Sequence, residues 1–323
     1  MVAVLALSLM LAAATPVQED VSCTDLRPTV EAIAAALDSR YVIPARGAGA
    51  AVQLRALALR SDFSHVCGEG PAQATALTRA TRSALNDLHL RVAYGPPEST
   101  TLPSQPSAEA LADNLGIEEV SRLPGGIGYL RLSGWAPVAW VGPRLENAFA
   151  LLGGSVGIII DVRGNPGGDG GTVNLVTRTF LAEGAPQTIQ TFDRAGERIY
   201  RRENLDPVWP RFPVDIPLVV LINRESASAS EAFAFSLREE GRATIVGSRS
   251  AGAAHGVRDA VALPGGFALY IPEYRGEGRL THTDWEGVGV RPDIDAGLTD
   301  AKMLAWELLR KQHDDNQERS DTP

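Results

Sequence analysis

The stretch VGIIIDVRGNPGGDGG, residues 156–171, decides the reading of this chain. Val156 to Val162 is an almost unbroken β-branched run, the pattern of a strand buried on both faces. It stops at a turn with glycines at 164, 167, 168, 170 and 171, where the backbone can adopt conformations closed to other residues. Helical spacing from Gly171 to Leu181 follows. The same unit recurs downstream: PLVVLIN (217–223) is a second buried strand, Ala229 to Glu240 a helix, and ATIVG (243–247) a third strand. Upstream, GIGYLRL (126–132) reads as a strand and Pro143 to Leu152 as a helix through Leu145, Ala148, Phe149 and Leu152. Strands alternating with helices predict an α/β layered core.

The amino-terminal third has a different character. Val30, Ile33, Ala34 and Leu37 fall at i, i+3, i+4 and i+7, one apolar helical face, and two more helices are predicted over 47–59 and 72–88. YGPPESTTLPSQPSAEALADN, beginning at Tyr94, is rich in proline and serine and reads as a linker. The expected division is a helical subdomain over 15–94, a linker over 95–120, the α/β core over 121–312 and a polar, disordered tail over 313–323. Residues 1–14 read as a secretory signal peptide: Val2 to Ala14 is too short to span a bilayer and ends in small residues, Ala12 and Ala14. A periplasmic or secreted product is expected, in which Cys23 and Cys67 pair as one disulfide. No later stretch is long and apolar enough to span a membrane.

The formal charge of −9 over 323 residues, with no basic cluster, argues against nucleic acid or an anionic membrane as partner. The spacing of His, Cys, Asp and Glu gives no metal signal, and no cofactor motif is present: the glycine turn fits neither GxGxxG nor GxxxxGK[ST].

Chemistry concentrates at two strand-to-helix corners. The first is the glycine turn, whose amides can approach a ligand closely. The second, NRESASASEAF (223–233), places Ser226, Ser228 and Ser230 where a strand yields to a helix. One of them is expected to cap the helix, with Ser230 the candidate. A nucleophilic serine there would have the next residue's amide and the helix dipole to hold an oxyanion. It would need a base. His65 and His313 read as solvated. His89 follows a helix, His255 lies among small residues in SAGAAHGV, and His282 precedes Trp285 and Glu286. On residue type alone, His89 and His255 are equal candidates.

IIIDVRGNPGG (158–168), the segment from Val219 to Gly256 and DWEGVGVRPDI (284–294), in that order, resemble the core of the tail-specific, or carboxyl-terminal processing, serine proteases. The likeness is nearer to the branch holding the interphotoreceptor retinoid-binding repeats and the tricorn core, whose helical lead-in LDSRYVIP (37–44) and LNDLHLRV (85–92) also resemble. It spans about Val30 to Leu309. It implies a ClpP/crotonase-like layered β-α core behind a helical lead-in, with 95–125 too short for a PDZ domain. Ser228 would be the nucleophile, and the amides of Gly168 and Ala229 the oxyanion hole. Many relatives use a lysine where this chain has Ala253, which excludes a Ser-Lys dyad. The tricorn-like histidine matches His89 and its glutamate Glu286, which would orient the imidazole. That branch carries a serine just before the histidine, where this chain has Leu88. His255 is the alternative base.

The expected function is therefore a secreted or periplasmic serine endopeptidase acting on flexible or unfolded polypeptides through an acyl-enzyme on Ser228. Two other readings remain open: a non-catalytic carrier of apolar ligands on the same fold, and an esterase acting on small substrates.

Overall fold

A computed structural model describes residues 23–60, 63–98, 103–199, 206–297 and 299–320. The expected signal peptide, residues 1–14, lies outside the described residues.

The chain begins with the short strand β1 (Cys23–Thr24), then α1 (Arg27–Arg40), α2 (Pro44–Ala58), strand β2 (Val66–Cys67), α3 (Gly70–Leu85) and β3 (Arg91–Tyr94). Proline opens each of the three helices, where its missing amide costs nothing. α3 ends three residues before the predicted 88, because Asn86 turns left-handed (φ 49°, ψ 51°) and returns its amide to Arg82 O. β1 and β2 pair, and a disulfide joins Cys23 to Cys67.

The remaining elements are α4 (Ala108–Ala112), β4 (Ile117–Leu123), β5 (Ile127–Leu132), α5 (Val138–Leu152), β6 (Gly157–Asp161), α6 (Gly170–Thr179), β7 (Ile189–Asp193), β8 (Leu218–Ile222), α7 (Ala229–Glu239), β9 (Thr244–Gly247), β10 (His255–Leu263), β11 (Phe267–Gly278), β12 (Ile294–Asp295) and α8 (Ala301–Ser320). The stretch expected to be a linker thus holds α4 and the start of β4. The polar tail continues α8 as far as Ser320, well past the boundary at 313.

A six-stranded sheet in the order β12-β9-β8-β6-β5-β4 carries the core; β4 alone runs antiparallel. Both faces are covered. Ile158, Ile160, Val220 and Ile222 pack with Leu145, Phe149, Val176 and Phe233 of α5, α6 and α7. Ile159, Val219 and Leu221 pack on the other face with Ala305 and Leu309 of α8. The unbroken β-branched runs follow from that sandwiching.

A second sheet forms around the β10–β11 hairpin, with β3 and β7 both pairing β11. Its apolar face completes the helical region: Leu263, Phe267, Leu269 and Ile271 join one core with Ile33, Leu37, Leu54 and Leu77. The helical lead-in is therefore not self-contained. Its core is finished by a hairpin from the far end of the chain, which the sequence reading did not include.

Candidate active site

Backbone and asparagine hydrogen bonds stitch the two corners together. Asn165, fully buried, donates to Leu132 O (3.0 Å), accepts from Gly167 N (2.9 Å) and through its own carbonyl receives Ala227 N (3.0 Å). Asn223 Oδ1 accepts Gly164 N at 2.9 Å. Gly167 (φ 113°) lies so near the serine corner that a Cβ there would stand 2.9 Å from the Cβ of Ser228. A Cβ on Gly168 (φ 140°) would meet Trp135 O at 2.3 Å. Glycine is required at both by conformation and by space.

Of the three alternate serines, two are structural. Ser226 Oγ donates to Val162 O (2.8 Å) and accepts Asn223 N (3.0 Å), and Ser230 Oγ accepts Trp135 Nε1 (2.8 Å). Both are fully buried. Ser230 lies inside the first turn of α7 and does not cap it, contrary to expectation; Ser228 holds the cap position. Ser228 has φ 53° and ψ −113°, a left-handed conformation for a residue with a side chain. Strain of this kind persists only where surrounding contacts over-determine it.

The contact that does so comes from Glu231, a carboxylate with no exposure. Its Oε2 accepts Ser228 N and Ala253 N, each at 2.8 Å, and its Oε1 accepts Ser250 Oγ (2.5 Å) and Gly252 N (2.7 Å). Four donors to one buried carboxylate satisfy the charge without a cationic partner. The vacant lysine position, Ala253, is one of the residues it holds.

His89 Nε2 lies 3.0 Å from Ser228 Oγ. The histidine sits just beyond the reversal at Asn86, and Arg82 fastens that loop by donating to Leu90 O (2.7 Å) and Leu88 O. Asp87 Oδ1 accepts the His89 amide at 2.9 Å. Burial pushes the His89 imidazole below its ordinary value; the Asp87 charge opposes this, and His255 and Arg82 add to it. His89 Nδ1 is buried and has no hydrogen-bond partner.

Glu286 does not reach that nitrogen. Its Oε2 accepts Ala254 N (2.7 Å) and His255 N (3.1 Å), while its Oε1 is buried without a partner. The expected Glu286–His89 hydrogen bond is therefore not made, because the carboxylate is turned to the backbone at the head of β10. Burial, with the Asp87 charge next, pushes the Glu286 carboxyl up, against the opposing pull of His255 and the two amides.

His255 is bonded to Asp87 instead, Nδ1 to Oδ2 at 2.7 Å, with Tyr41 Oη donating to the same oxygen at 2.9 Å. Burial pushes Asp87 up, but the hydrogen bond and charge of His255, the His89 amide and Tyr41 outweigh it and hold the carboxyl below its ordinary range. No hydrogen bond joins His255 to Ser228 among the described residues. Asp87, His255 and Glu286 present ligand atoms within 4.8 Å of one another, though Asp87 Oδ2 and His255 Nδ1 are already engaged with each other. Asp87 and Tyr41 were missed in sequence; the Asp87-x-His89 spacing was the available signal.

A cavity of about 540 Å³ opens beside these groups, lined by His89, Gly168, Ser228, Ala229, His255 and Trp285 among others, a volume typical of ligand sites. The amides of Gly168 and Ala229 have no hydrogen-bond partner among the described residues.

A serine at positive φ thus faces an imidazole at a helix start beside a glycine turn. Residues 126–296 match the sequence profile of peptidase family S41, more than half of the chain, and the protein belongs to that family. A carboxy-terminal-processing protease of Bartonella bacilliformis is 32% identical over 182 residues, covering 54% of this chain and 39% of the relative. Carboxyl-terminal-processing peptidase 3 of Arabidopsis thaliana chloroplasts is 29% identical over 188 residues, 58% of this chain and 34% of the relative. The chain thus spans well under half the length of these curated relatives. Among solved structures, a candidate peptidase of Parabacteroides merdae shares the fold, with a TM-score of 0.60 at 21% identity over 88% of this chain and 97% of that one. No helix among the described residues is long and apolar enough to cross a membrane.

Proposed function

We propose that the chain is a serine peptidase that hydrolyses peptide bonds of flexible or unfolded polypeptides through an acyl-enzyme on Ser228, with His89 as base. The observation that carries this is the 3.0 Å contact between His89 Nε2 and the Oγ of a serine held at positive φ. Family membership supports it. Burial keeps His89 unprotonated near neutral pH, the state in which it can accept a proton.

In the proposed sequence, Oγ attacks the scissile carbonyl carbon and its proton passes to His89 Nε2. The oxyanion is received by the amides of Gly168 and Ala229, aided by the dipole of α7. The C–N bond breaks as His89 returns the proton to the leaving amine. Water, deprotonated by His89, attacks the acyl-enzyme, and Ser228 recovers its proton as the acid product leaves. Glu286 supports the backbone at 254–255 and does not orient the base. Export is part of the proposal: the apolar run Val2–Ala14 favours it, and so does the Cys23–Cys67 disulfide, since such bonds persist in oxidising compartments.

The test is covalent labelling by a fluorophosphonate probe. Wild type is expected to label, Ser228→Ala not at all, and His89→Ala far more slowly. A folded wild type that takes up no probe refutes the proposal.

A further inference from the structure

His255 is built into the site more firmly than the base itself, yet it has no bond to the nucleophile. Its Nδ1 is held at 2.7 Å by Asp87, whose other oxygen holds the His89 amide. Tyr41 and Glu286 close in on the same nitrogen, at 3.2 and 3.7 Å, and Glu286 also grips the His255 amide. The other ring nitrogen is different. Nε2 has no hydrogen-bond partner among the described residues, is not among the fully buried orphan atoms, and belongs to a residue lining the cavity beside Ser228. A ring fixed by a carboxylate behind it presents a lone, directed polar atom to the space a substrate would occupy. Its neighbours Ala253, Ala254 and Gly256 are small enough to let a main chain approach.

Resting on the hydrolase reading, we infer that His255 is a substrate-binding residue whose Nε2 accepts a hydrogen bond from a main-chain N–H of the bound peptide. The direction follows from the tautomer. An ionised carboxylate can only accept, so in the neutral ring the proton lies on Nδ1 and the lone pair on Nε2. Asp87, held below the ordinary carboxyl range, is ionised at neutral pH. The pairing gives the site a reading of the peptide backbone that does not depend on side-chain identity, while His89 is left to serve Ser228.

The test uses His255→Asn, which retains a donor toward Asp87 and removes the atom at Nε2. Labelling by a small fluorophosphonate without peptide groups is expected to fall by a smaller factor than peptide hydrolysis. Hydrolysis of a flexible peptide should show KM raised about tenfold, the worth of one neutral hydrogen bond, with kcat little altered. A series of substrates with single amides replaced by esters then locates the partner. One ester should weaken wild type by a similar factor and make no further difference in His255→Asn. Unchanged peptide kinetics in His255→Asn, or loss of labelling in parallel with hydrolysis, overturns the inference. A wild type that neither labels nor cleaves overturns the hydrolase reading itself, a distinct result.

Discussion

Replacing Glu231 with glutamine turns one oxygen of a fully buried carboxylate into an amide nitrogen while leaving the side chain's size unchanged. Four donors converge on that carboxylate: Ser228 N, Ala253 N, Gly252 N and Ser250 Oγ. The gentler flip places the nitrogen on the Oε1 side, where Ser250 can rotate to accept but Gly252 N–H must face another donor. A buried donor left unsatisfied costs about 1–3 kcal/mol. The surviving oxygen keeps Ser228 and Ala253 as a neutral acceptor, losing about 1 kcal/mol of charge assistance at each. Glu231→Gln is thus expected to lose about 3–5 kcal/mol in urea unfolding of the oxidised protein. Because the same oxygen holds Ser228 at φ 53°, labelling of the folded fraction should also slow at least tenfold. A variant within about 1 kcal/mol of wild type, labelling at the wild-type rate, would refute the reasoning that Glu231 fixes the corner.

Two further outcomes follow from the titrating groups. His89 is depressed from 6.5 by burial, so the labelling rate should be full at neutral pH and fall only as the pH drops through a midpoint below 6.5; a midpoint above 7 would contradict this. Glu286→Gln should leave labelling within about threefold and stability within about 1 kcal/mol, since a carbonyl oxygen can still receive the Ala254 and His255 amides and the buried charge beside Asp87 disappears. Because Glu286 is raised in the folded state, its ionisation opposes folding as pH rises through the folded value, so the variant's relative stability should improve from pH 4 to pH 7. A tenfold loss of labelling would return Glu286 to the role of orienting the base.

The strands at 156–162 and 217–223 were readable because burial on both faces leaves an unbroken β-branched run, a pattern with few other causes. The β10–β11 hairpin was not, although VRDAVAL-PGG-FALYI carries period two and a turn, because its sheet partners β3 and β7 and the helices it packs on lie far away in sequence. Ser228 and His89 lie 139 residues apart, and no local pattern joins them; only the resemblance to a family brought them together. Glu231 and Asp87 escaped notice as functional groups for another reason. Glu231 is held mostly by backbone amides, which residue type does not reveal, and the side-chain partners of Asp87, Tyr41 and His255, lie 46 and 168 residues away. Glu286 shows the converse: residue type and order matched, and yet the carboxylate faces main chain at the head of β10.

The shared core of the helical lead-in and the β10–β11 hairpin has a consequence for the order in which competence arises. Residues 89 and 228 are both present in a chain that has emerged only as far as α7, but the unit carrying His89 then lacks Leu263, Phe267, Leu269 and Ile271, which close its core. Under the hydrolase reading, such a chain owns a nucleophile and a base that nothing holds together. On that reading the last quarter of the polypeptide, beyond α7, acts as a safety interval: a protein able to cut flexible chains cannot do so while it is itself one.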